Sequence, residues 1–298
     1  MDPDELYTLR NYYWLGSFQQ AINEGTSLTR CPKDLEIEKK EFIMRSYIGL
    51  GQYDLVISET KNNEELQSVY WLAMYFKEGS GYVETCINEL NKINNGVSKS
   101  SSLMQGLIYM NENDLKASMK CFQVIMKQSL EAHSHFISLL LKMDRGDLAV
   151  KESAKMKQID EDSSLTLLSE AWIILASSAG ADSNSNNNNN KLSYASNIFE
   201  DLKDKFGSSP LLLNGIATAK MHLNEHEEAE SILLQALTTN STDANTLANL
   251  IVISQKLRKP SETINRYLSQ LKTVNALHPL LISLGQFESA FDRMAGSL

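Results

Sequence analysis

Apolar residues recur along this chain at spacings of three and four positions, a pattern typical of amphipathic α-helices. Residues 211–243 show the unit clearly. A first apolar run ends near Leu223, a polar turn "NEHEE" follows, and a second apolar run begins with Ala229. A small side chain early in the second run lets two helices approach closely. The segment therefore predicts a helical hairpin.

The same small-residue position recurs through the whole chain, and its spacing gives the period. Its occupants are Ala21, Val56, Thr85, Ser118, Val150, Ala195, Ala229 and Thr263. Most intervals lie close to 34 residues, which is the length of the helix–turn–helix unit in tetratricopeptide repeats. We therefore predict an all-α, tetratricopeptide-repeat-like (TPR-like) fold, a right-handed superhelical solenoid of about eight helical hairpins.

One interval is about eleven residues longer than the others and contains "DSNSNNNNNK", residues 182–191. The apolar run before it has the pattern of a first helix, and the run after it has the pattern of a second helix. A domain boundary there would leave both runs unpaired. We therefore predict one domain over residues 1–298, with a disordered Asn-rich turn insertion at 180–191, because the entropy of loop closure rises only slowly with loop length.

The charge and the apolar stretches favour a cytoplasmic protein. The formal net charge is −9, which disfavours nucleic acid and direct membrane binding. The start "MDPDELYTLR" lacks the pattern of a signal peptide, and the apolar stretch 171–181 is too short to cross a bilayer. The three cysteines are far apart in sequence, which is typical of reduced thiols.

Patterns that carry chemistry are absent from the sequence. His222 and His226 have the spacing of two metal ligands on one helical face, but the repeat register places a turn between them. No phosphate-binding loop, dinucleotide-binding motif or nucleophile elbow is present. We therefore predict a protein without enzyme activity, cofactor or metal.

A solenoid of this kind favours a binding scaffold, because its curvature presents an extended surface. A helical-repeat RNA binder would need a basic groove, which the net charge disfavours. A co-chaperone that clamps a terminal carboxylate would need Lys, Arg and Asn side chains together, and the late first helices offer only Asn214, Asn245 and Asn249. A generic TPR adaptor or co-chaperone that binds a peptide in its groove stays as the alternative.

Longer stretches carry a more specific resemblance. They are "LRNYYWLGSFQQAINE" (9–24), "RSYIGLGQYDLVISE" (45–59), "NRYLSQLK" (265–272) followed by a His-Pro pair, and "FESAFDRM" (287–294). With these stretches in order over nearly the whole chain, the sequence resembles the epsilon-subunit family of coatomer, the coat of COPI vesicles. "NRYLSQLK" is the most specific part, because tetratricopeptide repeats in general do not require it.

The resemblance implies a structural, non-catalytic coat subunit that binds and stabilises the C-terminal region of the alpha subunit. It implies a role in retrograde Golgi-to-ER and intra-Golgi transport, on the cytosolic side of Golgi membranes and COPI-coated vesicles. Membrane association would be indirect, through the assembled coat and an Arf-family GTPase.

The repeat register also predicts which side chains face the partner. First helices line the inner surface of such a solenoid, so their inward-facing side chains are expected to grip the partner segment. The predicted partner-binding residues are Leu6, Arg10, Tyr13, Arg45, Leu107, Asn214, Thr218, Met221, Asn245 and Gln255.

Overall fold

A computed structural model describes residues 4–93, 98–178 and 186–295 of the chain. These described residues form helices and turns and contain no β-strand, so the predicted all-α class is confirmed. They belong to two compact units, Met1–Ser177 and Ser178–Leu298. The assignment of residues 1–298 to one domain stays a prediction.

In the first unit, odd-numbered helices are the first members of hairpins and even-numbered helices are the second members. The helices are α1 (Tyr7–Trp14), α2 (Phe18–Ser27), α3 (Lys33–Gly49), α4 (Tyr53–Thr60), α5 (Gln67–Glu78), α6 (Val83–Ile93), α7 (Lys99–Asn111), α8 (Leu115–Ile125), α9 (Leu130–Lys142), α10 (Gly146–Ile159) and α11 (Ser164–Ser178). Short 3-10 helices lie at Glu64–Leu66, Ser80–Tyr82 and Met126–Gln128.

The second unit continues the alternation with six helices among its described residues. They are α12 (Asn186–Phe206), α13 (Pro210–His222), α14 (His226–Thr239), α15 (Ala244–Lys256), α16 (Ser261–Val274) and α17 (Pro279–Ala295). Within this unit α13 packs against α14 and α15 packs against α16 as hairpins. The second helices α12 and α14 also pack on the next first helices, α13 and α15.

The Asn-rich segment differs in part from the predicted disordered turn at 180–191. Residues 180–185 lie outside the described residues, but 186–191 form the first turns of α12. The buried side chains of Leu192 and Ala195 hold the following turn, and extending an existing helix is far easier than nucleating one. The hydroxyl of Ser178 also donates a hydrogen bond to Oδ1 of Asn188 at 3.0 Å.

The residue at the small-residue position is buried in most of the hairpins. In two of them it is a neighbour of the residue that the sequence predicted. In α6 the buried residue is Cys86, while the predicted Thr85 faces solvent. In α10 it is Ala149, while the predicted Val150 is 55% exposed. A 3-10 helix takes the place of the usual turn before α6, and this shifts the register by one residue.

Six of the described hairpin turns share one backbone conformation. Each has one left-handed residue with φ between 54° and 76°; these residues are Gly16, Gly51, Asn113, Asp144, Asn224 and Arg258. The N–H of the residue after it donates to the carbonyl five positions back, as from Ser17 to Tyr12 at 2.8 Å. This is the Schellman cap, which satisfies the last carbonyls of the first helix. It sets where the second helix begins.

Side-chain caps fix the start of several first helices. The side chains of Ser98, Ser129, Ser209 and Asp243 accept a hydrogen bond from the backbone N–H three residues further on. They cap α7, α9, α13 and α15, all of which are first helices. A cap before the helix and a Schellman turn after it define both ends, so the repeat length follows from local sequence.

Within the first unit, a hydrogen bond also joins two hairpins that are not neighbours. The hydroxyl of Ser164 at the start of α11 donates to Oδ1 of Asn11 in α1, and both residues are buried. A bond between neighbouring hairpins accompanies it, since the hydroxyl of Ser169 in α11 donates to that of Ser134 in α9 at 3.1 Å. In an open solenoid each repeat contacts only its neighbours. The first unit is therefore wound tightly enough for its first helix to meet its last.

Replacing Asp144 with glycine should stabilise the chain. Asp144 follows the last turn of α9 with φ at 56°, and a side chain at this φ is strained, while its carboxylate opposes the helix dipole. We expect Asp144→Gly to raise the free energy of unfolding by about 1 kcal/mol, measured by urea denaturation. Asp144→Ala is the control, because it removes the carboxylate but keeps the strained Cβ. If both variants gain the same free energy of unfolding, the loss of the charge alone explains the effect and the backbone strain does not contribute.

Candidate partner-binding groove

The first helices of five consecutive hairpins line one cavity in the first unit, with a volume of about 420 Å³. Most of its walls are apolar, and they consist of Phe18, Ile48, Tyr53, Leu72, Phe76 and Met110. Tyr13, Arg45, Gly49, Leu107, Asn111 and Lys142 complete the lining, to which the second helices α2 and α4 contribute Phe18 and Tyr53. A concave, mostly apolar site with a few polar groups is the usual form of a binding pocket in proteins.

Arg45 lies at this cavity with its guanidinium fixed from several sides. Its side chain is 2% exposed, and it pairs with both carboxylate oxygens of Glu131 in α9, through Nη2 to Oε1 and through Nη1 to Oε2 at 3.3 Å. Glu41 Oε1 lies 3.6 Å from Nη1. The guanidinium carbon stands 4.5 Å from the ring centre of Tyr13 and 5.2 Å from that of Phe42. The pair therefore ties α3 to α9 across the inner face.

The pKa shifts follow from burial and this pairing. Burial alone would raise the pKa of Glu131, but attraction to Arg45 and hydrogen bonds from His135 and Arg45 outweigh it and hold the pKa well below its usual range. Burial raises the pKa of Glu41, and Arg45 offsets that only in part. Burial likewise raises the pKa of Tyr13. The cluster therefore holds one firmly ionised pair and one carboxyl that resists ionisation.

Of the predicted partner-binding residues in the first unit, the cavity brings together Tyr13, Arg45 and Leu107. Leu6 and Arg10 lie outside its lining. Leu6 is fully buried in the core beside α1. Arg10 pairs with Asp4 at 2.7 Å and with Glu38 at 3.0 Å.

The predicted residues of the second unit are mostly engaged within that unit. Asn214 Nδ2 donates to Thr246 Oγ1 at 2.7 Å and to Asp243 Oδ2 at 3.3 Å, and its Oδ1 accepts from Asn249 Nδ2 at 2.8 Å. This network joins α13 to α15. The remaining predicted residues are less tightly held. Thr218 bonds its own helix, Met221 packs on the core, Asn245 meets His278, and Gln255 is exposed.

Sequence reasoning missed the other lining residues of the cavity, among them Phe18, Tyr53, Phe76 and Lys142. A signal for two of them exists, because Phe18 and Tyr53 each stand two residues after the turn glycines Gly16 and Gly51. Glu131 was also missed, and the signal there is that it is the one acidic residue in "EAHSHFISLLL".

Repeated hairpins with Schellman turns and a groove lined by first helices define a tetratricopeptide-like repeat protein. Solved structures agree. One is a tetratricopeptide repeat protein from Parabacteroides merdae, with a TM-score of 0.57, 11% identity, and coverage of 90% of this chain and 97% of that one. Another is the Cut9–Hcn1 hetero-tetramer of the APC/C, with a TM-score of 0.61, 13% identity, and coverage of 91% of this chain and 52% of that one. Such likeness shows the fold alone.

Sequence comparison gives the particular family. The sequence model of the coatomer epsilon subunit matches residues 2–298. The chain is 36% identical to coatomer subunit epsilon-1 of Oryza sativa subsp. japonica, over 98% of this chain and 97% of that protein. It is 35% identical to coatomer subunit epsilon of Dictyostelium discoideum, over 98% of each. The chain therefore belongs to the coatomer epsilon-subunit family, as the sequence resemblance predicted.

None of the helices that the structure describes combines the length and apolar character that a bilayer span requires. Among residues 4–93, 98–178 and 186–295, no three His, Cys, Asp or Glu side chains stand together as a metal would need.

Removing the cation of the buried cluster should destabilise the first unit in a pH-dependent way. Arg45→Met leaves the buried Glu131 and Glu41 without the guanidinium that both face, with only His135 beside Glu131, and such a loss costs about 3–5 kcal/mol. Without the cation, burial raises the pKa of both carboxyls, so the deficit is largest at neutral pH and shrinks as the pH falls toward about 5. Urea denaturation at both pH values measures this.

The wild type should behave differently over the same range. Its Glu131 has a depressed pKa, so the stabilisation by the pair is fully present above the ordinary value of 4.5 and is lost only as the pH falls through the lower folded pKa. The double variant Arg45→Met with Glu131→Met is the control, and it should recover most of the loss. A pH-independent deficit in Arg45→Met would contradict the charge argument.

In the second unit, Asn214→Ala should lower the free energy of unfolding by about 1–3 kcal/mol, because it leaves the amide of Asn249 without its acceptor. Gln255→Ala, at an exposed position of α15, is the matched control and should stay within about 0.5 kcal/mol of wild type. Equal stability of the two variants would show that the network contributes nothing.

Proposed function

We propose that this chain is a non-catalytic scaffold subunit of the COPI coat, and that the groove of its first unit binds and stabilises the C-terminal region of the coat's alpha subunit. The observation that carries the proposal is the family match over residues 2–298. The groove supports it, since first helices of repeat proteins commonly form the surface that takes a partner segment.

The finer roles follow from the same proposal. The chain acts in retrograde Golgi-to-ER and intra-Golgi transport, on the cytosolic side of Golgi membranes and COPI-coated vesicles. Its membrane association is indirect, through the assembled coat and an Arf-family GTPase. A net charge of −9 supports this indirect route, because anionic headgroups repel an acidic surface.

The alternative of a carboxylate-clamping co-chaperone draws less support. Two of the three asparagines that it would use, Asn214 and Asn249, already bond each other. A clamp needs donors that point at the ligand, and these amides are committed to linking α13 and α15.

Co-purification tests the proposal. The chain is expressed together with the tagged C-terminal region of the alpha subunit and passed through size-exclusion chromatography. We expect one stable complex, and no complex with the N-terminal region of the same subunit. Elution of the chain alone, together with its failure to enter coatomer added from cytosol, would refute the coat assignment.

A further inference from the structure

One buried donor at the cavity has no acceptor. The Nη1 and Nη2 atoms of Arg45 are engaged by Glu131, but Nε is buried and makes no hydrogen bond to any described residue. An unsatisfied buried N–H on a charged group costs about 1–3 kcal/mol or more. Native proteins seldom keep such a group without a use for it.

The donor is held in place before any partner arrives. Glu131 fixes two nitrogens of the guanidinium, and the rings of Tyr13 and Phe42 fix its plane. A donor that is already ordered loses little side-chain entropy when an acceptor binds, so it contributes more to affinity than a mobile surface arginine does.

A second cation stands at the same cavity. Lys142, the last residue of α9, lines the cavity and is exposed, and it pairs with no acidic group among the described residues. Lys142 therefore places a positive charge at the same cavity as the unsatisfied guanidinium donor. The Nε–H of Arg45 and the ammonium group of Lys142 both bind an oxygen acceptor, and the charge of Lys142 favours a negatively charged one.

The apolar walls and the volume of the cavity restrict which other groups of a ligand can bind there. Tyr53 and Phe76 stack with ring centres 6.0 Å apart, and Phe18 and Leu107 continue the apolar surface. The cavity has about 420 Å³, which suits one or two large side chains of a partner segment rather than a whole folded element.

We propose that this cavity is the anchor point for an extended segment of the alpha subunit's C-terminal region, in which a large apolar side chain lies beside an Asp or Glu. The apolar side chain fills the space between Phe18, Phe76 and Leu107. A backbone carbonyl accepts from Arg45 Nε, and the carboxylate pairs with Lys142. This inference rests on the proposed function and specifies which groups of the partner bind at the cavity.

Charge reversal at the cavity tests the inference. The affinity of the full chain for a fluorescently labelled C-terminal region of the alpha subunit is measured by anisotropy. Lys142→Glu should weaken binding by about tenfold or more, since a like charge then faces the carboxylate. Lys116→Glu makes the same change at an exposed position of α8 outside the cavity and should change the affinity less than about twofold.

A second variant and a rescue make the assignment specific. Phe76→Ala should also weaken binding by about tenfold, with helicity by circular dichroism unchanged. Acidic residues of the labelled region are then changed to Lys one at a time, and one such change should restore binding to Lys142→Glu. If wild type binds while Lys142→Glu and Phe76→Ala bind equally well, the anchor assignment is wrong and the proposed function stands. If wild type does not bind at all, the proposed function itself fails.

Discussion

The buried ion pair between Arg45 and Glu131 is the constraint on which the first unit depends. The two residues are 86 positions apart in sequence, and they join the second hairpin to the fifth across the inner face. Burying two charges costs several kcal/mol each, and only close pairing with further contacts offsets that cost. The rings of Tyr13 and Phe42 and the neighbouring Glu41 provide those contacts. The curvature of the hairpins in between therefore has to bring α3 and α9 together.

This constraint explains why arginine, rather than lysine, suits position 45. A planar guanidinium can donate two bonds to one carboxylate, lie against aromatic rings and still direct a third N–H elsewhere. A lysine ammonium is a point charge and could not do all three. The same geometry that closes the inner face leaves the buried Nε without an acceptor among the described residues, beside the cavity where we propose recognition.

The repeat period could be predicted from sequence because each of its causes is local. The left-handed residue at Gly16 or Asn224, the cap at Asp243 and the small residue at Ala229 act within one hairpin and recur with it. The prediction was wrong at Thr85, because a 3-10 helix shifts the register there and turns Cys86 inward. The contact of Arg45 with Glu131 could not be predicted, because no spacing rule connects residues 86 positions apart.

The residues predicted to bind a partner have different surroundings in the two units. In the second unit, Asn214, Thr246 and Asn249 bond one another, so their amide and hydroxyl groups hold α13 against α15. In the first unit, the polar groups at the cavity keep a donor and a cation that no described residue satisfies. Hydrogen-bond networks in which every group has a partner make a surface rigid. An unsatisfied donor in an apolar site instead favours the binding of a ligand that supplies an acceptor. The predicted residues therefore differ between the units: Tyr13, Arg45 and Leu107 share a cavity in the first, while Asn214 in the second holds α13 against α15.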